Sequence, residues 1–442
     1  MANPVLRVEI DFANGPSFSY PLILDDAAYG ILGANTLGDA PADIVDISDM
    51  VMRCSTRRGR NRILSNFEAG SATVTINDPN SDFNPQNQSG PYYGKLVPLR
   101  KIRIYAETQV GGETVVVNIF AGYITSYDTG FYSGVYTTST VTLQCVDGFR
   151  LLNNVSTPVT PIPGCPAGQL SGFRVSTILT NVADWPNSMR ITDAGNSSMQ
   201  ADPGGARSVL AAIQQVEQSE FGAFFMARSG KTVFLSRDTV AKRANLPPRV
   251  YTDTGAPNTF PYELIDFAFD DQLILNDVTV TRYNDGVGPA LPQRIQDPPS
   301  IETFFRKAGQ RTDILVLTDQ EAQDQARTIV ADRKNADLRI DSITLNMYAT
   351  ISEENTLVNL SSDIYNLIIA EKQMSGGSTI TSELFIQGVQ HDITPLTWKV
   401  KLLTAEPIIN AFILDAGPAN DPNSQGVLAE MSPVPNTNTL SY

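Results

Sequence analysis

Residues 72–94 constrain the fold of this chain more than any other stretch of its sequence. They begin as an alternating segment in which Val74 and Ile76 point to one face and Thr73 and Thr75 to the other, the pattern of a half-buried β-strand. A polar loop rich in Asn, Asp, Ser and Pro follows and ends in Tyr-Tyr-Gly. Side chains of these types bond their own backbone, and proline fixes φ, so the segment predicts a strand that ends in a tight, ordered loop.

Alternating segments of the same kind dominate the first third of the sequence. Most are bounded by Gly, Asn or Pro, which favours a barrel or a sandwich. Gly111 and Gly112 lie between two of them and are typical of a hairpin turn. The predicted strands cover residues 5–12, 70–76, 100–106, 114–120 and 135–146.

The middle of the chain changes to a mixed pattern. Four prolines between residues 158 and 166 mark a boundary, because proline suits neither a helix interior nor a central strand. Two helices are predicted next, one over 173–182 and one with Asp202 as its N-cap and Pro203 at its first position. A hairpin over 222–237 should then turn at Ser229 and Gly230.

Strands return towards the end of the chain. Residues 264–283 predict a further strand pair, and Thr318 to Glu321 form a capping box that should open a helix. The last folded unit is strand-rich, with predicted strands over 339–347, 367–372, 382–391 and 396–404. Residues 416–442 carry four prolines and few apolar side chains, a composition that suits an extended arm rather than a core.

The composition limits the classes of protein that remain open. A chain of 442 residues, 42% hydrophobic and 18% charged, is long enough for several folded domains. Three scattered cysteines, Cys54, Cys145 and Cys165, suit neither a disulfide framework nor a zinc site, so we expect them to be buried. The net charge of −15 argues against a free nucleic-acid-binding protein, and it is compatible with a passage through which DNA slides.

No signal for export or membrane insertion is visible in the sequence. The first residues lack a basic region followed by an apolar core, so no signal peptide is predicted. The longest apolar runs, such as 367–370, fall far short of the roughly 20 residues that a membrane helix needs. We therefore expect a protein made in a cytoplasm, without a membrane segment.

Two segments carry a resemblance to a known family. Residues 70–127 combine the strand, the Asn/Asp-Pro loop, a basic strand and a Phe-x-Gly-Tyr-Ile strand, and residues 385–402 contain Gly-Val-Gln-His-Asp-Ile-Thr-Pro followed by Trp398. This arrangement resembles minor tail proteins of long-tailed bacteriophages, the family that forms the central hub at the tail tip. The resemblance covers most of residues 1–414, and it is specific mainly at these two segments.

The resemblance implies a mainly β, multi-domain protein with α+β middle domains and two small β-barrel domains. Three chains would associate into a ring, a homotrimer at the virion tail tip, made in the host cytoplasm. Implied partners are the distal tail protein, the tape measure and tip or fibre proteins, with DNA passing without specific binding. The expected units are a barrel hub domain at 1–155, α+β domains at 156–250 and 251–335, a barrel hub domain at 336–415 and the arm at 416–442.

No residue pattern predicts catalysis, a cofactor or a metal site. His391 is the only histidine and lies in no nucleophile motif. Asp78 opens a loop with alternate oxygen side chains, but Phe83 replaces the glycine that a calcium loop requires, so we expect an Asx-rich turn. The acidic pairs at 270–271 and 353–354 could serve glycoside hydrolysis only if a distant acid joined them, because neighbouring strand residues face opposite ways.

An arginine cluster stands out in this acidic chain, and three interpretations of it stay open. It could be a solvated loop, a contact with another subunit or tail protein, or a contact with nucleic acid; we favour assembly, because arginine pairs bidentately with carboxylates. The arm should strap onto a neighbour through its few apolar anchors. The predicted interface residues are Arg53, Arg57, Arg58, Arg60, Arg62, Leu428, Met431 and Leu440.

Alternative functions remain at this stage. A ring-forming distal tail adapter belongs to the same class as the hub and differs in having six copies rather than three. A virion-associated cell-wall hydrolase has no motif in its favour. A carbohydrate-binding adhesin could stack sugars on exposed aromatic side chains, and the candidates are Tyr92, Tyr93, Tyr123 and Tyr127.

Overall fold

The computed structural model describes residues 3–13, 43–60, 66–131, 139–286, 288–336, 338–349 and 352–407. These residues are mainly β, as the sequence predicts, and thirteen of the described strands belong to one sheet. Two α+β units pack beside that sheet, each with its own apolar cluster. The described helices include none that is both long and apolar enough to cross a membrane.

The N-terminal β unit contains long antiparallel strands, which confirms the strands predicted over 5–12, 70–76 and 100–106. Their bounds are β1 (Val5–Asp11), β2 (Ile44–Asp46), β3 (Val51–Gly59), β4 (Glu68–Asn77), β5 (Arg100–Val110), β6 (Glu113–Phe131) and β7 (Ser139–Val146). The spatial order is β2-β1-β5-β6-β7-β4-β3. The two outermost strands follow each other in the chain, and one short turn joins them. The sheet therefore curls strongly, although no ladder between described strands closes it.

The period-two pattern decides which side chains of this unit are buried. On β4, Val74 and Ile76 are fully buried in the core, whereas Thr73 and Thr75 lie at the partly exposed positions between them. Each buried aliphatic side chain of this size contributes roughly 1.5–3 kcal/mol through removal from water. The three cysteines are free and buried, as the composition predicts.

The first α+β unit follows β7. Its elements are α1 (Phe149–Asn154), β8 (Gln169–Leu170), α2 (Ser171–Asn181), β9 (Arg190–Thr192), β10 (Ser198–Met199), α3 (Val209–Glu220), β11 (Ala223–Met226), β12 (Thr232–Leu235) and α4 (Arg237–Arg243). Strands β11 and β12 form the predicted hairpin, and Gly230 takes a positive φ of 81° in its turn. The prediction for 173–182 is confirmed by α2.

The predicted start of α3 is wrong. Ser208, not Asp202, is the N-cap, and its side chain accepts a hydrogen bond from the Ala211 N–H. Gly204 and Gly205 both have positive φ, so the chain turns before the helix can begin. The carboxylate of Asp202 instead accepts hydrogen bonds from the Ile162 and Gly204 N–H groups and pairs with an arginine. Here tertiary hydrogen bonds outweigh a local capping pattern.

Residues 249–333 contain β13 (Arg249–Thr252), β14 (Leu264–Ala268), β15 (Asp277–Arg282), β16 (Gln293–Gln296), α5 (Pro298–Phe304), β17 (Ala308–Ile314) and α6 (Asp319–Arg333). The capping box at Thr318 and Glu321 opens α6, as predicted. The strand pair predicted within 264–283 is wrong. Both strands exist, but β14 joins the large sheet, whereas β15 lies between β16 and β17.

The last unit consists of β18 (Arg339–Asn346), α7 (Glu353–Ser361), β19 (Leu367–Gln373), β20 (Thr379–Ile393) and β21 (Trp398–Ala405). Its strand order is β13-β19-β20-β21-β18-β14, so strands from residues 249–268 complete it. Strand β20 is long enough to form hydrogen-bonded ladders with two strands, one after the other, along the same edge. Its first half pairs with β19 and its second half with β3, which joins the N-terminal and C-terminal units in one sheet.

Candidate assembly site

The ladder between β3 and β20 is the only place where a strand of the N-terminal unit pairs with one of the C-terminal unit in the described part of the chain. It runs antiparallel from Cys54 opposite Ile393 to Gly59 opposite Gly388. Glycine is required at position 59, because φ is 99° and a Cβ there would lie 2.3 Å from the Gln387 carbonyl oxygen. The two units therefore meet at backbone-to-backbone distance.

Of the predicted arginine cluster, Arg53, Arg57 and Arg58 lie on β3 rather than in a loop, and Arg60 follows directly after that strand. Residues 54, 56 and 58 of β3 face the interior, and the residues between them are more exposed. Period-two alternation thus continues from Cys54 through Thr56 to Arg58. It places Arg57 and Arg58 on opposite faces, although they are neighbours in the sequence.

Arg58 is a buried connection between several elements. Its guanidinium lies 2.8 Å from an Asp363 carboxylate oxygen, and Nε donates to the Ile119 carbonyl at 2.9 Å. Burial alone would raise the pKa of Asp363, but the guanidinium groups of Arg58 and Arg228 outweigh it, so the pKa lies below its ordinary value. The ionised pair therefore holds β3 and β6 against the segment that leads into β19.

Arg60 extends this connection just beyond the end of β3. Its Nε donates to the Gln387 side-chain oxygen at 2.9 Å, and a terminal nitrogen donates to the Tyr365 hydroxyl at 2.8 Å. The guanidinium also lies over the Phe67 ring, 4.4 Å from its centroid, a cation–π contact. We call Arg58, Arg60, Asp363, Tyr365 and Gln387 the arginine seam.

The lone histidine stands in the ladder beside the seam. His391 is buried, and its Nδ1 accepts a hydrogen bond from the indole N–H of Trp398 at 3.3 Å. Burial is the main cause that lowers the pKa of His391 to about 3, and the positive charge of Arg58 adds to it. The imidazole is therefore neutral at pH 7 and acts as part of the core.

The other two described arginines of the cluster face solvent. Arg53 forms a forked contact with the Asp392 carboxylate at 3.1–3.2 Å, and Arg57 lies 2.9 Å from Glu68. Both pairs are exposed, so each contributes only ~0–1 kcal/mol to folding. Arg62 and the predicted arm anchors Leu428, Met431 and Leu440 lie outside the described residues. A contact of the cluster with another chain stays a prediction.

The polar loop after β4 is an ordered turn. The Asp78 carboxylate accepts hydrogen bonds from the Asp82 and Phe83 N–H groups at 2.8 and 3.0 Å. Phe83 is fully buried and packs against Tyr92 with tilted rings, 4.8 Å between their centroids. The carboxylate is thus occupied by backbone donors, and within the described ranges no group of three His, Cys, Asp or Glu side chains could hold a metal ion.

Three of the four side chains in the acidic pairs have structural partners. Asp270 accepts two hydrogen bonds from Arg339 at 2.8 and 3.0 Å, and Asp271 pairs with Lys307. Glu353 caps the Gly111 N–H at 3.0 Å, which ties α7 to the β5–β6 turn. Asp270 shares a cleft with Asp341, but Arg339 pairs with both carboxylates there, so these contacts use the acids for folding.

The tyrosines considered for sugar binding differ in exposure. Tyr123 is buried and Tyr92 packs against the core of the N-terminal unit. Tyr127 also packs against that core. Tyr93 is half exposed and stands alone among the four on the surface. A single exposed ring offers no stacking platform of the kind that the adhesin alternative requires.

The sequence did not predict three of the five residues of the seam. Asp363, Tyr365 and Gln387 lie roughly 300 residues from the arginines that they bind, and no local pattern links them. One signal was present in β3 itself, because Cys54 and Thr56 alternate with polar residues as a strand would. That alternation predicts an inward Arg58, which in turn requires a buried carboxylate elsewhere.

Solved structures of phage tail proteins share this fold. The tail protein from Neisseria meningitidis MC58 matches with a TM-score of 0.54 at 14% identity, covering 92% of this chain and 98% of that one. The 43 kDa tail protein of prophage MuSo2 from Shewanella oneidensis matches with a TM-score of 0.51 at 12% identity, covering 83% and 96%. No protein-family model and no curated protein matches the chain. The predicted resemblance to phage tail proteins is confirmed at the level of the fold.

Proposed function

We propose that this chain is the structural hub of a bacteriophage tail tip and acts there as a homotrimer. One observation carries the proposal: the β3–β20 ladder and the arginine seam hold two β units of a single chain in one sheet. Three such chains would supply six β units around an axis, with N-terminal and C-terminal units alternating. The ring would leave a central channel.

In this proposal the ring connects the tail tube to the host-facing tip. Its neighbours would be the distal tail protein, the tape measure and tip or fibre proteins, and the chain would be made in the host cytoplasm before assembly. DNA would pass through the channel without specific binding. The net charge of −15 supports this, because like charges repel and a phosphate backbone finds few sites to adhere to.

The number of copies in the assembled tail tests the proposal. We expect three copies per tail by cryo-electron microscopy, with the 1–150 and 336–414 units alternating around the channel. Six copies in one ring would favour a distal tail adapter instead. A monomer on the outside of the tube would contradict both.

An enzymatic or sugar-binding role makes different predictions. Asp270, Asp271 and Glu353 are engaged with Arg339, Lys307 and the Gly111 N–H, which supports a non-enzymatic protein. Purified chain incubated with host cell walls should release no soluble sugar or peptide. A glycan array that shows binding dependent on Tyr93 would support the adhesin in place of the hub.

The C-terminal arm remains part of the proposal, although residues 416–442 lie outside the described ranges. Its four prolines prevent a continuous helix, and ordering a free chain costs roughly 1–2 kcal/mol per residue in backbone entropy. Leu428, Met431 and Leu440 are the anchors that could offset this cost on a neighbouring subunit. Deleting 418–442 should leave the chain folded by circular dichroism but reduce its incorporation into tails. Wild-type yield of infectious particles would contradict the strap.

A further inference from the structure

Phe305 presents a large apolar side chain to solvent from a backbone that disfavours it. Its side chain is 82% exposed, more than the exposed phenylalanines Phe173 and Phe269 at 57% and 69%. Its φ is 59° and its ψ is 172°, a region that is essentially restricted to glycine. Glycine at this position would end α5 without strain. A phenylalanine held there is therefore an outlier in both exposure and backbone conformation.

A buried asparagine fixes this conformation. Asn276 is fully buried, and its side-chain nitrogen donates to the Phe305 carbonyl at 2.8 Å and to the Ser300 hydroxyl at 3.0 Å. Its side-chain oxygen accepts from the Lys307 N–H at 2.8 Å. The backbone N–H groups of Asn276 and Asp277 both donate to the Lys307 carbonyl. The backbone on either side of Arg306 is thus held to the start of β15, which fixes the point from which the Phe305 ring projects.

Two arginines share one carboxylate beside Phe305 in the chain. The buried Asp277 carboxylate is shared by Arg294, with contacts of 2.5 and 2.7 Å, and by Arg306 at 3.3 Å. Both arginine side chains are about half exposed, at 49% for Arg294 and 59% for Arg306. One carboxylate cannot neutralise two guanidinium groups, so this group of three carries a net positive charge next to an exposed phenyl ring.

We propose that Phe305 is a docking knob that inserts into an apolar pocket with a carboxylate rim on another protein of the tail. The pocket would remove the ring from water, and its acidic rim would pair with Arg294 and Arg306. A described cleft of this chain, of about 370 Å³, is a poorer receptor, because it is lined mainly by charged and polar side chains and Arg339 already pairs with its Asp270 and Asp341. The inference rests on the proposed tail function.

Photo-crosslinking in assembled particles tests the knob directly. Full-length chain carrying Phe305→p-benzoylphenylalanine should crosslink to a different tail protein, at apolar residues with Asp or Glu nearby. The matched control is Leu396→p-benzoylphenylalanine, because Leu396 is 86% exposed at the tip of the β20–β21 hairpin and has no such clamp. Crosslinks from position 305 to another copy of this chain only, or none at all, would overturn the inference.

Two substitutions separate docking from folding. Phe305→Gly and Phe305→Ala should each lower incorporation roughly tenfold or more when variant and wild-type chains compete in the same assembling cells. Phe305→Gly should also raise the melting temperature, because it relieves the φ strain. Val159→Ala, at a site 76% exposed, should change neither. If both Phe305 variants are incorporated as well as wild type, the docking inference is wrong and the proposed tail function still stands. If the wild-type chain is itself absent from particles, both the docking inference and the proposed function are wrong.

Discussion

The two faces of β3 carry the same residue type in opposite environments. On the inner face and just beyond the strand, Arg58 and Arg60 are about 5% exposed and bind partners from distant parts of the chain. On the outer face, Arg53 and Arg57 meet Asp392 and a glutamate in solvent. The comparison shows that an arginine cluster is not one functional unit. Its inner members hold the fold together, and its outer members pair with carboxylates in solvent.

The largest effect should come from breaking the inner pair. Arg58→Ala leaves the partly buried Asp363 carboxylate with Arg228, at 3.6 Å, as its remaining ionic partner in the described part of the chain. It should destabilise the chain by roughly 3–5 kcal/mol. Arg57→Ala is the matched control, one residue away on the outer face, and should change stability by ~0–1 kcal/mol. Denaturant unfolding monitored by fluorescence measures both.

A double variant sharpens the same comparison. Arg58→Met with Asp363→Asn removes both charges and keeps most of the volume, so it should recover much of the stability lost in Arg58→Ala. Equal losses for Arg57→Ala and Arg58→Ala would contradict the assignment of the two faces.

The next largest effect should follow from separating the two strands of the ladder. Gly59→Ala places a Cβ 2.3 Å from the Gln387 carbonyl oxygen at a φ of 99°, so β3 and β20 must move apart, at a cost of about 2–5 kcal/mol. Gly94→Ala has a similar φ of 78° with open space around it, and should cost only about 1–2 kcal/mol. Thermal unfolding measures both variants. Equal melting temperatures for Gly59→Ala and Gly94→Ala would contradict a stabilising role of the ladder.

The inner face should also make stability depend on pH through His391. The pKa of His391 in the folded chain is about 3, below the ordinary 6.5. Between these two pH values the imidazole is protonated in the unfolded chain and neutral in the folded chain. The free energy of unfolding therefore falls as the pH drops from 6.5 towards 3. Between pH 6.5 and pH 5 the loss is roughly 2 kcal/mol, at about 1.4 kcal/mol for each pH unit. His391→Gln should remove this slope, measured as the difference from wild type at each pH.

The difference in stability between wild type and His391→Gln must be measured, because two buried carboxyl groups change stability with pH in the opposite direction. Burial raises the pKa of Asp147 and of Glu217 to about 7. The folded chain therefore holds their protons more tightly, and their contribution to stability is lost as pH rises from about 4 to 7. Parallel pH curves for wild type and His391→Gln would contradict a buried neutral imidazole.

The smallest effect on folding is expected on the outer face. Charge reversal by Arg53→Glu with Arg57→Glu should change stability by only ~1–2 kcal/mol, because both ion pairs are exposed. If these arginines contact another tail protein, incorporation into particles should fall well beyond that change. Reversing their acidic partners with Glu68→Lys and Asp392→Lys is the control for lost intramolecular pairing. Normal incorporation of the arginine variant would remove Arg53 and Arg57 from the predicted interface.

Much of the local structure was predictable because it depends on short-range rules. Alternation located β1, β4, β5 and most strands after residue 339, and the capping box at Thr318 located the start of α6. Patterns of this kind failed where distant groups competed with them. Asp202 has the local features of an N-cap, yet Ile162 and Arg207 occupy its carboxylate. Hydrophobic alternation did not predict β3, because its inward positions include Arg58, and the pattern counts only apolar side chains.

The sequence by itself determined the mainly β character, the polar loop after β4 and the resemblance to phage tail proteins, because periodicity and turn chemistry act within a few residues. Only the tertiary structure decided which strands are neighbours. It placed β14 and β15 in different sheets, paired β3 with a strand more than 300 residues away, and buried Arg58 against Asp363. The physical reason is that a hydrogen-bonded ladder or a buried ion pair needs two partners that meet in space. A local stretch of sequence contains only one of the two partners.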